Sequence, residues 1–176
     1  GVGLSGSTAS REAVRWRGEA VGWGAVGGGG AVGEFRHGVA GRVEGMAAKR
    51  GTYVYVSVPP SGLLQADPRL LRRVLDNLVD NAIRDAPKGT GVLLRGYLVE
   101  GAWTLEVADQ GPGVPPPRRE PLFTIFGNPD PARTPDSAGA GLGLALSAAV
   151  ARAHGGRLDL VTDSGDGAVF RLRLPA

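Results

Sequence analysis

The chain lacks cysteine altogether and has only two histidines among its 176 residues. Without thiols it forms neither a disulfide nor a thiolate metal site, and two histidines argue against a zinc site. No apolar run approaches the roughly 20 residues that a membrane-spanning helix needs. The chain starts at Gly1 without an initiator Met, and no charged segment is followed by an apolar one. We therefore expect no signal peptide, a processed protein or a fragment, and a cytoplasmic location.

A large excess of charge of one sign is also missing. The chain has 20 Lys and Arg against 17 Asp and Glu, a formal net charge of +3. That excess is too small to favour nucleic acid as a partner, and no contact with a membrane is expected. The length fits one domain with a sizeable core and leaves room for a tail.

Glycine, by contrast, is abundant in residues 1–33, which include the run Gly27–Gly30. Glycine costs about 1 kcal/mol per residue in a helix relative to alanine. We therefore expect a poorly ordered or linker-like segment, with packing of Trp16 and Trp23 on a partner as the alternative. Residues 34–50 carry apolar side chains at helical spacing and predict a connecting helix that ends at Gly51.

Residues 52–176 alternate between strand and helix patterns. Asp67-Pro68 is a typical helix start, and the helix should run to about Asp85. A second helix is predicted over Leu142–Ala153. Strand patterns occupy Thr52–Val58, Val92–Val99, Trp103–Ala108, Arg157–Thr162 and Ala168–Leu174, and the last four form two hairpins. This order predicts a two-layer α/β sandwich with helices on one face of a mixed sheet.

Polar side chains line one face of the first helix. At about 100° per residue, Asn77, Asn81 and Arg84 fall within about 60° of one another. The neighbouring face is apolar and should pack on the sheet; it comprises Leu71, Val74, Leu75, Leu78 and Ala82. Amide oxygens are hard ligands that suit Mg²⁺. An exposed polar stripe is the alternative interpretation.

Two glycine-rich segments complete the pattern. Asp109–Gly113 follows a strand, and Gly139–Leu144 precedes the second helix. A glycine-rich turn at a helix N-terminus offers free N–H groups and the positive end of the helix dipole to anions. The second segment is neither a Walker A sequence nor a clear dinucleotide fingerprint. Alone, each segment is equally consistent with an ordinary turn.

Four segments together resemble the conserved motifs, called boxes, of the sensor histidine kinase catalytic domain. In chain order they are Asn77–Asn81, Asp109–Gly113, Phe123–Phe126 and Gly139–Leu144, and they are similar in order and spacing to the N, first glycine, F and second glycine boxes. That domain belongs to the GHKL, or Bergerat-fold, ATPases. The resemblance covers about residues 52–176.

The resemblance implies ATP and Mg²⁺ as ligands, with the metal ion at Asn81 and a phosphate contact at Arg84. It also implies that Asp109 accepts a hydrogen bond from the adenine amine, and an acceptor-only group prefers adenine to guanine. The implied catalytic residues are Asn77, Asn81 and Arg84. The implied ATP-binding set adds Asp109, Gly111, Gly113, Phe126, Gly139, Gly141, Leu142, Gly143 and Leu144.

Asn77 distinguishes between subfamilies in this resemblance. The gyrase-, Hsp90- and MutL-like ATPases carry a glutamate there as a general base, and an asparagine cannot take a proton at neutral pH. Transfer to an external nucleophile is therefore favoured over hydrolysis.

The proline-rich stretch of about residues 114–140 would be the ATP lid, a mobile loop that closes over nucleotide. Phe123 and Phe126 would anchor its hinge. Arg118, Arg119 and Arg133 would either reach the phosphates or be merely solvated. Within this stretch, only residues 120–126 are expected to hold a short helix.

Four residues at three sites depart from the family pattern. Asp85 replaces the usual aromatic residue, Gly127-Asn128 replace an aromatic residue and arginine, and Ala168 replaces a threonine. Neither His37 nor His154 has the sequence context of the phosphoacceptor histidine, and His154 is expected to end a helix.

The resulting hypothesis is a histidine kinase catalytic domain that acts on a histidine of a separate dimerisation domain or chain. That histidine would in turn serve a response regulator. The alternatives are a GHKL ATPase, an anti-sigma-type serine kinase, or a nucleotide-binding docking module without catalysis.

Overall fold

The computed structural model of the chain describes residues 25–26, 30–31, 43, 45–57, 66–124, 142–161 and 167–175. Its two main helices are α1 (Pro68–Asp85) and α2 (Gly143–Ala153). The strands of the main sheet are β1 (Tyr53–Ser57), β2 (Gly91–Val99), β3 (Ala102–Ala108), β4 (Arg157–Leu160) and β5 (Val169–Pro175). Residues 45–50 are helical, and a helical turn at Pro116–Arg119 continues into a 3-10 turn at Glu120–Phe123.

The main sheet has the strand order β1-β2-β3-β5-β4. β1 pairs in parallel with β2, and the other neighbours are antiparallel. The β2–β3 hairpin turns through Glu100 and Gly101, whose φ angles of 50° and 71° suit a tight two-residue turn. The mixed sheet and both predicted hairpins are confirmed.

Helix α1 begins and ends where the sequence predicts. Oδ1 of Asp67 accepts hydrogen bonds from the main-chain N–H groups of Arg69 and Leu70 at 2.8 and 3.3 Å. This cap satisfies two donors of the first turn. The helix ends at Asp85, two residues before Pro87.

The core lies between the helices and one face of the sheet. The predicted apolar face of α1 is buried throughout, and Leu78 is 0% exposed. Opposite it lie Val107 and Leu105 of β3 with their register partners Phe170 and Leu172 of β5. Both helices contact this sheet. The start of α1 meets the end of α2, so the two helices run antiparallel. The two-layer arrangement is thus confirmed.

The other sheet face carries a row of alternating charges. Register places Arg95 beside Glu106, Glu106 beside Arg171 and Arg171 beside Asp159. Glu106 is 3% exposed and accepts hydrogen bonds from Arg95, from Arg171 at 2.7 Å and from Tyr97 at 2.9 Å. Burial opposes its ionisation, but these hydrogen bonds outweigh burial and hold the pKa of Glu106 below its ordinary value.

The helical turn at Pro116–Arg119 corrects one prediction, which placed a short helix only within residues 120–126. Proline suits the first turn of a helix, where no N–H partner is lost. In the glycine-rich N-terminal part, Ala25–Val26 pairs antiparallel with Gly30–Ala31. Trp16, Trp23 and His37 lie outside the described residues. In the described part of the chain, no helix is long and apolar enough to cross a membrane.

Candidate functional site

A cleft of about 140 Å³ lies between the end of α1, the segment after β3 and the start of α2. Five of the predicted site residues line it, namely Asn81, Arg84, Asp109, Gly113 and Leu144. The departures Asp85 and Ala168 also line it, as does Arg118. The described parts of residues 81–170 therefore bring together residues that are widely separated in sequence.

Asp109 lies at the end of β3 and is 7% exposed. Its Oδ1 accepts a hydrogen bond from the main-chain N–H of Gly111 at 2.7 Å. Burial raises the pKa of Asp109, and the charge of Asp85 raises it further against the stabilising bond from Gly111. A buried carboxylate that faces a cleft favours a ligand that brings its own hydrogen-bond donor.

Gly111 and Gly113 allow the main chain to approach its neighbours closely. A Cβ atom at Gly111 would lie 2.6 Å from the main-chain oxygen of Asp85. At Gly113, which has a φ of 71°, a Cβ would lie 2.8 Å from the oxygen of Gly167. Side chains would therefore push apart α1, the segment after β3 and the start of β5.

Arg84 and Asp85 form an ion pair at the open end of the cleft. Nε of Arg84 lies 3.3 Å from Oδ1 of Asp85, and the two side chains are 37% and 52% exposed. Such an exposed pair is worth about 0–1 kcal/mol. A ligand with several negative charges can therefore compete with Asp85 for the guanidinium of Arg84.

Asn77 faces α2 and does not line the cleft. Its Nδ2 donates to the main-chain oxygen of Gly143 at 3.3 Å and to Oγ of Ser147 at 3.4 Å. Ser147 is fully buried and also donates to the oxygen of Gly143 at 2.7 Å. The sequence pattern therefore places Asn77, Asn81 and Arg84 on one face, but only Asn81 and Arg84 reach the cleft.

The first turn of α2 has main-chain N–H groups that lack partners within the helix. The first α-helical bond is from the N–H of Leu146 to the oxygen of Leu142, and no side chain caps the helix. The N–H groups of Gly143, Leu144 and Ala145 precede that bond and lack partners within the helix. Such a terminus favours an anion.

The predicted lid residues are only partly described. Phe123 packs edge-on against Phe170, with ring centroids 6.3 Å apart. Nε of Arg119 donates to the oxygen of Val114 at 2.8 Å. Phe126, Gly139, Gly141, Arg133 and Gly127-Asn128 lie outside the described residues.

Sequence reasoning missed several lining residues. Pro112, Val114, Pro115, Leu122 and Phe170 contribute most of the apolar wall. Phe170 could have been found from its position in a strand whose alternate residues are buried. Ser147 lies on the buried side of the alanine-rich helix α2, and helical periodicity could have placed its hydroxyl there.

A family model described as "Histidine kinase-, DNA gyrase B-, and HSP90-like ATPase" matches residues 66–176. Sensor histidine kinase MtrB of Mycobacterium tuberculosis is 38% identical over 136 residues, which cover 77% of this chain and 24% of MtrB. Sensor protein IrlS of Burkholderia pseudomallei is 35% identical over 138 residues, or 78% of this chain and 29% of IrlS. The chain therefore spans about a quarter of the length of these curated relatives.

Solved structures agree with these sequence similarities. The full-length ShkA structure in complex with AMPPNP has a TM-score of 0.68 and 32% identity, and the match covers 81% of this chain and 29% of ShkA. The mycobacterial sensor histidine kinase MprB has a TM-score of 0.64 and 29% identity, with 81% of this chain and 92% of MprB covered.

Proposed function

We propose a specific reaction for this chain, which belongs to the histidine kinase-, DNA gyrase B- and HSP90-like ATPase family. Within that family it is an ATP-binding catalytic domain of the sensor histidine kinase type. The proposal is that it binds Mg·ATP in the cleft beside Asp109 and transfers the γ-phosphoryl group to a histidine. That histidine would belong to a dimerisation domain, in the same protein or a partner, that serves a response regulator in the cytoplasm.

The observation that carries the proposal is the pairing of a buried acceptor with a cationic rim. The carboxylate of Asp109 accepts a hydrogen bond from the N–H of Gly111 and lines the cleft, where it would accept a further one from the exocyclic amine of adenine. The phosphates would then lie toward Arg84 and the uncapped N-terminus of α2. The base would lie against the apolar residues that line the cleft, such as Val114, Leu122 and Phe170.

The residues of the cleft also fit a magnesium nucleotide. No cluster of three or more His, Cys, Asp or Glu side chains that could hold a metal ion occurs among the described residues. Asn81 offers a neutral amide oxygen in the cleft, which suits an ion that keeps phosphate and water ligands. Bound Mg²⁺ would neutralise phosphate charge, and Asn81 is the residue proposed to hold it.

The side chains of the chain itself would act by position and charge. Arg84 would exchange Asp85 for phosphate oxygens as nucleotide enters, and Asp109 would orient the base. The amide of Asn77 cannot act as a general base, and both of its N–H groups point to α2. This arrangement favours transfer to a histidine over activation of water.

A transfer assay tests the proposed function. Radiolabelled γ-phosphoryl would be followed from Mg·ATP to a histidine-bearing dimerisation domain of a sensor histidine kinase, supplied in trans. We expect Asn81→Ala to reduce transfer at least about tenfold, since a contact with a charged ligand contributes about 1.5–3 kcal/mol. Arg73→Ala, on the exposed side of α1, should leave it unchanged and serves as the matched control.

Two outcomes would count against this function. Wild-type transfer by Asn81→Ala would remove the metal-binding role of Asn81. Appreciable steady-state ATP hydrolysis by the isolated chain, without transfer, would instead favour an ATPase.

A further inference from the structure

The bond from Asn77 to α2 is one side of a closed triangle of hydrogen bonds. Nδ2 of Asn77 donates to the oxygen of Gly143 and to Oγ of Ser147, and Ser147 donates to the same oxygen of Gly143. The three donor–acceptor distances are 3.3, 3.4 and 2.7 Å. In the sequence, Asn77 lies 66 positions before Gly143 and 70 positions before Ser147.

The triangle is part-buried, and its Ser147 corner lies where an unpaired polar group is costly. Ser147 is 0% exposed, and the other buried residues of α2 are Leu144, Ala145, Ala148 and Ala151. A buried hydroxyl without a partner would destabilise the helix contact, so Ser147 requires the bonds it makes here. Removal of one member therefore leaves the others with fewer partners.

The position of the triangle links it to the cleft. Asn81 lies one helical turn beyond Asn77 on α1, and Leu144 directly follows Gly143 on α2, and both line the cleft. The triangle therefore fixes the distance between Asn81 and the main-chain N–H groups in the first turn of α2. Side chains in the cleft reach the ligand only if these walls keep their spacing.

We propose that Ser147 and Asn77 are positioning residues that hold the first turn of α2 where it meets the nucleotide phosphates. This inference rests on the proposed function of the cleft as a Mg·ATP site. It assigns Asn77 an indirect role and adds Ser147, which no sequence motif singled out. Neither side chain touches the reacting atoms in this assignment.

A hydrogen bond between α1 and α2 at the opposite end of this helix pair provides the matched control. The main-chain N–H of Asp67 donates to Nε2 of His154 at 3.0 Å. Nδ1 of His154 therefore carries the proton, which it donates to the oxygen of Val150 at 2.8 Å. Asp67 precedes Asn77 by ten residues, or about 15 Å of helix. Loss of the Asp67–His154 hydrogen bond weakens the α1–α2 contact far from the cleft.

The experiment compares Ser147→Ala with His154→Ala by calorimetric titration of the whole chain with Mg·AMPPNP. Displacement measurements give the affinity for adenosine, which has no phosphates. We expect Ser147→Ala to weaken Mg·AMPPNP binding about 3- to 10-fold, the effect of one or two lost neutral hydrogen bonds. Its adenosine affinity should be unchanged, and His154→Ala should change neither affinity while lowering the melting temperature.

Asn77→Leu is the second variant, because it keeps roughly the shape of the side chain and removes both donors without adding a charge that would repel phosphate. It should reproduce the phosphate-selective loss, and the Ser147→Ala/Asn77→Leu double variant should lose no more than the stronger single change. Equal losses for Mg·AMPPNP and adenosine, or a phosphate-selective loss in His154→Ala as well, would overturn the positioning role. Failure of the wild-type chain to bind Mg·AMPPNP would overturn the proposed function and this inference with it.

Discussion

At the residue scale, Asp109 combines burial with a carboxylate that the proposed site requires to be ionised. Burial and the nearby Asp85 raise its pKa above the ordinary value of 3.8. In the native state it therefore binds a proton at a higher pH than an exposed aspartate does. Protonation removes an acceptor that adenine recognition needs.

ATP affinity should therefore fall as the pH is lowered toward the raised pKa of Asp109, because the protonated fraction of Asp109 grows. Calorimetric titrations at a series of pH values down to the ordinary pKa of 3.8 would measure this loss. A flat profile in this range would show that the ionisation of Asp109 does not control binding.

Stability should change in the opposite sense. Because the native pKa of Asp109 is raised, the native state binds more protons than the unfolded chain between the ordinary and the raised pKa. The contribution of Asp109 to stability therefore falls as pH rises through that window and stays unfavourable at neutral pH. We expect Asp109→Asn to raise the melting temperature at pH 7, with the gain absent below about pH 3.8. A lower melting temperature at pH 7 would contradict this.

Asp85 offers a sharper test of the same electrostatics. Asp85→Asn removes the charge that raises the pKa of Asp109 and releases Arg84 from its ion pair. We expect ATP binding to strengthen by up to about fivefold, since an exposed pair contributes about 0–1 kcal/mol. The loss of ATP binding on acidification should also occur at a lower pH, because the pKa of Asp109 is no longer raised by Asp85. Lys88→Ala, an exposed change outside the cleft, is the control; weaker binding in Asp85→Asn would point to a direct ligand contact by Asp85.

At the scale of elements, the charged row on the open sheet face joins β2, β3 and β5 through Glu106. The pKa of Glu106 is lowered, so its contribution to stability is full above its ordinary pKa of 4.5 and lost as pH falls through the lowered value. Glu106→Gln should cost about 1–3 kcal/mol at pH 7, because Arg95 and Arg171 lose a charged acceptor. Chemical denaturation would measure this loss, which should shrink below pH 4.5.

Asp159→Asn is the matched control for that change. Its ion pair with Arg157 is 2.8 Å long, but the two side chains are 43% and 62% exposed. Its loss should therefore cost less than about 1 kcal/mol. Equal effects of the two substitutions would show that burial of Glu106 does not strengthen the row.

Local chemistry made the elements predictable. Asp67-Pro68 indicates the start of α1 because a carboxylate cap and an N-terminal proline suit the same turn. Glu100-Gly101 indicates a hairpin because its turn needs positive φ. The prolines in residues 116–119 predict irregular structure because proline usually ends a helix, but proline is tolerated in a first turn, and the helix forms there.

At the scale of the whole molecule, a site residue could be predicted from the sequence where it belongs to a local motif, but not where its role depends on contacts between distant elements. The spacing of the boxes suggested Asn81, Arg84 and Asp109, and these three meet in one cleft. The Asn77–Ser147 hydrogen bond depends on how α2 packs against α1, and the position of Phe170 in the cleft depends on how β5 pairs with β3. The periodicity within a single element does not predict this packing between elements.

Binding of Mg·ATP in the cleft beside Asp109 can be tested by a single titration. The purified chain would be titrated with ATP in the presence and absence of Mg²⁺, in parallel with Asp109→Asn. We expect binding that depends on Mg²⁺ and weakens roughly 10- to 100-fold in Asp109→Asn. Absence of binding by the wild-type chain, or equal binding by the variant, would contradict it.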